Sequence, residues 1–267
     1  MTRMRGVFAG SIVVAAVATS LLPGTATAQA PGCGDRAVHP SDQQGWAPLD
    51  GTAPEFVDGP AGATDDGSIE LSAADNSQKV DYYQFGLTPL ADATDLGFRV
   101  NTSAGASASY QFKVIGANRS DGSPLGFTSL VWDRIPNGPT AGWVDEPGLE
   151  NGQWWSTQSI AGATGGQANP VSLSQIKAAN PRAQIYAYGV NVGTGAGGST
   201  SYVDSLQFGC THWNFAPDPE PGSLGSSGSL GSSGSLGSST SSLGSSVGSV
   251  AGSAGGSSVD VTGSLEG

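Results

Sequence analysis

The chain has 267 residues and a formal net charge of −12, because 22 Asp and Glu residues outnumber 10 Lys and Arg residues. This excess of negative charge argues against nucleic acid and against anionic membrane surfaces as partners.

The N-terminus has the three parts of a secretory signal peptide. Two arginines make a basic start, an apolar run follows over residues 7–22, and small residues then surround two cleavage positions, after Ala28 or after Ala30. The alternative is a membrane anchor, but the run is short for a span and ends in Pro and Gly. We therefore predict a signal peptide over residues 1–28 and a secreted, extracellular or cell-surface protein with no membrane span after cleavage.

Short β-type runs, separated by Gly, Pro, Asn and Asp, fill the chain between Cys33 and Ala216. Several of them alternate, so that Tyr110, Phe112 and Val114 share one face of a strand. Eight strands are predicted, over residues 67–73, 79–87, 95–102, 108–116, 127–134, 152–159, 184–193 and 202–210.

One helix is predicted, over residues 172–181. Ser172 or Ser174 can cap its N-terminus, and Pro181 stops it. About eight strands with one short helix predict an all-β domain over residues 33–216, a jelly-roll-like two-sheet β-sandwich.

The two cysteines, Cys33 and Cys210, lie close to the two ends of this domain. An even pair of cysteines in an exported protein predicts one disulfide bond, and the alternative is two free thiols.

The last part of the chain, residues 217–267, begins with three prolines and continues as a Gly/Ser-rich repeat. The hexapeptide GSLGSS occurs three times in succession from Gly222. One apolar residue in six buries too little surface to offset chain entropy, so we predict a disordered low-complexity tail. The alternative is a solenoid of six-residue turns.

Aromatic residues near carboxylates are the candidates for a ligand site. Trp154 and Trp155 fall on opposite faces of one predicted strand, and Trp143 lies in a loop beside Asp145. An exposed ring can stack on a sugar while a carboxylate accepts its hydroxyl hydrogens. The alternative for each ring is burial in the core, which is common for aromatics in a small sandwich.

Recognisable catalytic patterns do not occur in the sequence. His39 and His212 lie near the ends of the domain, away from any Ser or Cys nucleophile arrangement. We therefore predict that the protein is not an enzyme. A glycoside-processing enzyme is the minor alternative, with Asp145 and either Glu146 or Glu150 as its carboxylate pair.

The segment YVDSLQFG, residues 202–209, resembles the final strand of bacterial carbohydrate-binding modules of the galactose-binding-like jelly-roll type. A wider pattern resembles a set of uncharacterised actinobacterial secreted proteins. That pattern comprises Trp46, the LDG turn at 49–51, FVDGP at 56–60, GSIEL at 67–71, the WW pair at 154–155 and AANPRA at 178–183. The resemblance implies a jelly-roll sandwich and polysaccharide or cell-wall glycan as partner.

Asp204 shares strand parity with the apolar residues Leu206 and Phe208, and a carboxylate facing a core must be satisfied there. A β-bulge at Asp204–Ser205 could turn it to solvent and let Val203 and Leu206 both face the core. Pairing with an arginine is a second alternative, and a bound cation is a third.

The resemblance favours the cation. In several such modules the matching Asp binds a structural Ca²⁺ together with oxygens from an N-terminal loop, and this chain offers Asp58, Asp65 and Asp66 there. The second Asp of the family's usual pair is replaced by Ser205, which removes one oxygen ligand.

Two functions of different class are therefore expected. The first is a secreted, non-catalytic carbohydrate-binding or surface-adhesion module. The second is a structural exoprotein that carries a flexible wall or matrix spacer and takes no small ligand.

Overall fold

The computed structural model describes residues 32–64 and 67–219. The predicted signal peptide over residues 1–28, and all but the first three residues of the predicted tail, lie outside the described residues. Among the described residues, no helix has the length and apolar character that a membrane span requires.

The described chain is built mainly from strands. It contains one α-helix, α1 (Leu173–Ala179). The strands are β1 (Gly34–Val38), β2 (Trp46–Ala47), β3 (Glu55–Val57), β4 (Ser68–Ala73), β5 (Val80–Pro89), β6 (Gly97–Ala104), β7 (Ser109–Ile115), β8 (Phe127–Trp132), β9 (Val144–Pro147), β10 (Gln153–Ser156), β11 (Val171–Ser172), β12 (Gln184–Val192), β13 (Ser199–Phe208) and β14 (Thr211–Phe215).

The strands form two seven-stranded sheets. In the first sheet β13 is central. One edge of β13 pairs with β6, and β6 pairs in turn with β9. The other edge pairs with β4 and with β14; β3 pairs with β4, and β1 pairs with β14. The second sheet has the order β11-β10-β8-β7-β12-β5-β2. β1 lies parallel to β14, whereas β7, β8, β12 and β5 pair antiparallel. The prediction of an all-β two-sheet sandwich is confirmed.

Alternation along the strands places the core. In β7, Tyr110, Phe112 and Val114 are fully buried on the inward face, where the ring of Phe112 stacks on that of Trp154 at 4.8 Å. A second aromatic group surrounds Trp46, whose ring lies 5.5 Å from Tyr82. Burial of these large rings supplies much of the apolar area that stabilises a sandwich.

The helix lies within the predicted range, 172–181, and is two residues shorter at its C-terminal end. Ser172 caps it, because its hydroxyl oxygen accepts the backbone N–H of Gln175 at 3.2 Å. Leu173 and Ile176 are buried and attach this short element to the body of the domain.

The disulfide is confirmed, since Cys33 and Cys210 are bonded. The last predicted strand ends at Cys210, however, and the strand that follows was not predicted. The chain continues past Cys210 into β14, whose Trp213 and Phe215 are buried. Cys210 therefore lies in the turn between the last two strands, and the bond holds that turn against the start of β1. Such a bond is typical of an oxidising compartment.

Candidate functional site

A polar cleft of about 570 Å³ lies on the outward face of the second sheet. Its volume falls within the range of small-molecule sites. We call it the polar cleft and define it by the residues that carry most of its chemistry: Gln111, Lys113, Ser129, Asp133, Trp155 and Asn191.

Lys113 lies at the floor of the polar cleft, on the central strand β7, and only 4% of it is exposed. Its ammonium donates to Gln111 Oε1 and to Ser129 Oγ, both at 3.1 Å, and lies 4.8 Å from the ring centroid of Tyr83. Burial, with the nearby positive charge of Lys79, lowers the pKa of Lys113 to about 8. The cleft floor therefore holds a cation that costs stability to bury.

Tyr83 fits beneath Lys113 because β12 has a glycine beside it. A Cβ on Gly189 would lie 2.9 Å from Tyr83 Cδ1 and 2.0 Å from the backbone oxygen of Tyr82. The ring of Tyr83 is fully buried, and its hydroxyl donates to Gln111 Oε1 at 2.9 Å.

Lys79 and Asp50 lie at one edge of the cleft and form an ion-pair group with Asp81. The ammonium of Lys79 contacts Asp50 and lies 3.1 Å from Asp81 Oδ2. Burial raises the pKa of Asp81, which is fully enclosed. Burial also acts to raise the pKa of Asp50, but hydrogen bonds with Asp81 and Lys79 outweigh it and lower the pKa. Both carboxyl groups therefore pair with Lys79.

Trp155 lies at the rim and is partly exposed. Its indole Nε1–H donates to Asp133 Oδ2 at 2.7 Å, and Gln167 Nε2 donates to the same oxygen at 2.8 Å. The hydrogen bond fixes the ring orientation. The arrangement combines an accessible aromatic face with a carboxylate beside it.

Trp154 is in the core, although the sequence makes it a candidate ligand residue. It is fully buried, and its Nε1–H donates to the carbonyl oxygen of Leu149 at 2.8 Å. Because adjacent residues of a strand point to opposite faces, burial of Trp154 leaves Trp155 on the outward face. Trp154 offers no ring face to a ligand.

Trp143 and Asp145 lie against the first sheet, away from the polar cleft. The guanidinium of Arg99 lies 5.3 Å from the Trp143 ring centroid, and its Nε donates to Asp145 Oδ1 at 2.8 Å. Trp143 Nε1–H donates to the carbonyl oxygen of Pro60 at 3.1 Å. Trp143 therefore contacts the loop at residues 58–64, which covers Asp204, and Asp145 pairs with Arg99, which donates to Thr64 Oγ1 of that loop.

Asp204 is fully buried beneath this loop and surrounded by N–H donors. Its Oδ2 accepts the backbone N–H of Thr64 at 2.9 Å, and its Oδ1 accepts those of Ser205 at 2.7 Å and Phe215 at 3.3 Å. Burial raises its pKa, although these hydrogen bonds act in the opposite direction. Arg99 lies opposite Asp204 in the ladder but bonds to Asp145 and Thr64 instead.

The bulge considered for this strand is present. Ser205 has a positive φ of 49°, and the pairing of β13 with β6 shifts register between Asp204 and Gln207. Val203 and Leu206 both face the core as a result. The bulge does not turn Asp204 to solvent, because the 58–64 loop closes over it.

The described residues here do not form a calcium site. The oxygens of Asp204 are taken by N–H donors, Asp58 is exposed, and no cluster of three acidic, His or Cys side chains occurs among the described residues. Asp65 and Asp66 lie outside the described residues. Calcium therefore stays a prediction of the resemblance.

Chelation tests it directly. The hydrogen bonds that satisfy Asp204 predict that EGTA leaves the melting temperature unchanged, whereas the resemblance predicts that EGTA lowers it. Thermal denaturation with EGTA and with added CaCl₂ measures this. A fall in melting temperature that CaCl₂ reverses would instead establish a calcium site.

The carboxylates considered for glycoside cleavage have structural partners. Asp145 pairs with Arg99, Glu146 pairs with Arg134, and Glu150 Oε2 accepts the backbone N–H of Leu96. Each of the three carboxyl groups therefore has its own partner in the fold, and these contacts do not favour a catalytic pair.

Trp155 is a candidate ligand residue in the sequence, whereas Asp133, Gln111, Lys113 and Asn191 were not predicted. In the sequence these residues read as the solvent-facing half of ordinary alternating strands. The one available signal is the lysine in the middle of a long alternating run, at position 113, since a cation there is unusual if the strand is central in its sheet.

Comparison with known protein families, with curated proteins and with solved structures found no match for this chain.

Proposed function

We propose that the protein is a secreted, non-catalytic carbohydrate-binding module and that the polar cleft binds a polysaccharide or cell-wall glycan. The observation that carries the proposal is the rim pair of Trp155 and Asp133, at the mouth of a cleft whose floor is polar. The indole face supplies an apolar platform for a pyranose ring, and the carboxylate supplies an acceptor for its hydroxyl groups.

The other polar groups support the same chemistry. Ser129, Gln111 and Asn191 carry hydroxyl and amide groups, which can both donate and accept, as sugar hydroxyls do. Fixed polar groups give orientation and specificity in small-molecule sites, while an aromatic contact gives much of the affinity. The disulfide and the predicted signal peptide support an extracellular place of action.

The alternative proposal is a structural exoprotein with a flexible spacer and no small ligand. Its motivation is the Gly/Ser tail, which lies outside the described residues. The cleft favours the binding module, because a purely structural domain gains nothing from a buried cation beneath a solvent-open cavity.

Trp155→Ala tests the proposed function. We expect it to weaken binding to the glycan that the wild type retains by at least about tenfold, because the indole is the proposed platform for the sugar ring and an aromatic hot spot is worth about 2 kcal/mol or more. Pull-down on insoluble polysaccharides and a glycan array identify the ligand, and titration calorimetry gives the affinity.

The matched control is Trp143→Ala, which removes the same side chain from the loop against the first sheet. It should leave glycan affinity within about twofold of wild type. Circular dichroism checks that both variants are folded. Absence of binding by the wild type to every glycan, or equal binding by Trp155→Ala, would reject the proposal.

A further inference from the structure

The floor of the polar cleft presents donors that lack acceptors. Lys113 uses two of its three N–H donors on Gln111 and Ser129. Asn191 is only 4% exposed, and its Nδ2 has no hydrogen-bond partner among the described residues. Buried polar groups without partners are rare in folded proteins, so this amide needs an explanation.

The hydrogen-bond network fixes the direction in which Asn191 points. Gln111 Oε1 must face the ammonium of Lys113 and the hydroxyl of Tyr83, because both are donors. The other end of that amide, Gln111 Nε2, then donates to Ser109 Oγ at 2.9 Å and to Asn191 Oδ1 at 3.1 Å. Asn191 is thereby held with its oxygen toward Gln111, and its buried Nδ2 donor is left without an acceptor beside the cleft.

Lys113 also lacks an acidic partner. Asp50 and Asp133 line the cleft with it, but Asp50 contacts Lys79 and Asp133 accepts from Trp155 and Gln167. The carboxyl groups of Asp50 and Asp81 act on Lys113 only from a longer range. Within the described residues, no carboxylate lies within ion-pair distance of the Lys113 ammonium. A ligand that covers this cation removes its remaining water, which is costly unless the ligand brings negative charge.

We propose that the polar cleft selects an anionic saccharide, with a carboxylate or sulfate ester of the sugar seated against Lys113 Nζ and Asn191 Nδ2. The inference rests on the proposed function and names the ligand class for the same site. An oxyanion supplies only acceptors, which is what two unmatched donors require.

The charge of the whole chain limits the ligand further. A net charge of −12 repels extended polyanions at long range, whereas one buried ammonium acts at contact distance. The expected ligand is therefore a mainly neutral glycan that carries an isolated acidic sugar, rather than a uniformly charged polymer.

Paired glycans test the inference. Each acidic member of an array is matched by a neutral counterpart: a uronic acid oligosaccharide by its methyl ester, and a sulfated oligosaccharide by the unsulfated form. For the pair that the protein recognises, we expect calorimetry to show the acid bound about 10-fold to 100-fold more tightly than its neutral partner, the range of one charge-assisted hydrogen bond.

Two variants locate the preference. Lys113→Met keeps the length of the side chain and removes the charge, and should abolish the difference between acid and neutral partner. Asn191→Asp keeps the oxygen that accepts from Gln111 but replaces the Nδ2 donor with a second acceptor, and should weaken the acid more than the neutral form. If one variant fails to fold, the other still tests whether the preference for the acidic glycan depends on this pair of donors.

The outcomes separate this inference from the proposed function. A preference for an acidic glycan that is lost in either variant supports the inference. Whether the preferred acid is a uronate or a sulfate ester identifies the anionic group. Equal affinity for acid and neutral forms, or a preference that survives both variants, overturns it while leaving carbohydrate binding intact. Absence of binding to every member of the array overturns both.

Discussion

Replacing Cys33 and Cys210 together by serine is expected to lower the free energy of unfolding by about 2–5 kcal/mol. The bonded residues are 177 positions apart. Closing so long a loop restricts the unfolded chain strongly, and the chain-entropy model gives an upper value of about 5 kcal/mol.

The native contacts around the bond add to this expectation. β1 and β14 form a parallel ladder between segments from opposite ends of the domain. The backbone N–H of Gly34 donates to the carbonyl oxygen of Cys210 at 3.0 Å, directly beside the bond. Without the covalent tie, β1 must find its partner strand at the full entropic cost of closing the loop.

Urea denaturation of the wild type and of the Cys33→Ser/Cys210→Ser variant measures the effect. Wild type treated with dithiothreitol serves as the matched control, since it should match the untreated variant, and the reductant should leave the variant unchanged. A difference below about 1 kcal/mol between oxidised wild type and variant would contradict the expectation.

The positions of the longer strands could be predicted from the sequence, but those of the shortest strands could not. β5, β7, β12 and β13 were predicted to within a few residues, because each alternates over enough positions for the period of two to stand out. Two-residue strands such as β2 and β11 carry no such period. Their strand character comes from pairing with β5 and β10, which a single sequence does not contain.

The last strand shows a different limit. The apolar residues Trp213 and Phe215 alternate with His212 and Asn214, yet the last predicted strand ends at Cys210. The run is only five residues long and lies next to a proline-rich segment. Its burial depends on the chain reversing at Gly209 and Cys210, so that β14 pairs with β13.

The polar cleft could be predicted only in part. Trp155 was identified because a WW pair in a strand must place one ring on each face. Gln111 and Asn191, in contrast, are 80 residues apart and meet only because β7 pairs with β12. The polar half of an alternating strand looks the same in a sequence whether it faces bulk water or the floor of a cleft.

The cleft has a stability cost that its proposed use explains. Lys113 is buried without an acidic partner, and exchanging a buried charge for an apolar side chain of similar size is often neutral or stabilising. A sequence under pressure for stability alone would favour an apolar residue at that position. Ligand recognition is a reason to keep the cation.

Asp204→Ala is expected to lower the free energy of unfolding by about 3 kcal/mol or more. The carboxylate accepts the backbone N–H groups of Thr64, Ser205 and Phe215. Removing it leaves three donors without their acceptor, and each unsatisfied buried donor costs about 1–3 kcal/mol. The contact to Thr64 also holds the 58–64 loop, so the loop should become more accessible to protease.

Asp204→Asn separates the acceptor from the charge. The amide retains one oxygen that can accept from part of the donor set, and it removes the cost of burying a charge. Its loss of stability should therefore be smaller than that of Asp204→Ala. Asp58→Asn, on the same loop but exposed, is the matched control and should be within about 0.5 kcal/mol of wild type.

The pH dependence follows from the direction of the pKa shift. Burial raises the pKa of Asp204 above its ordinary value of 3.8, so between these two values the folded state binds more protons than the unfolded state. In that interval the contribution of Asp204 to stability falls as pH rises. The stability advantage of wild type over Asp204→Asn should thus be larger below pH 3.8 than at neutral pH. An advantage that grows with rising pH would show that the hydrogen bonds outweigh burial and lower the pKa instead.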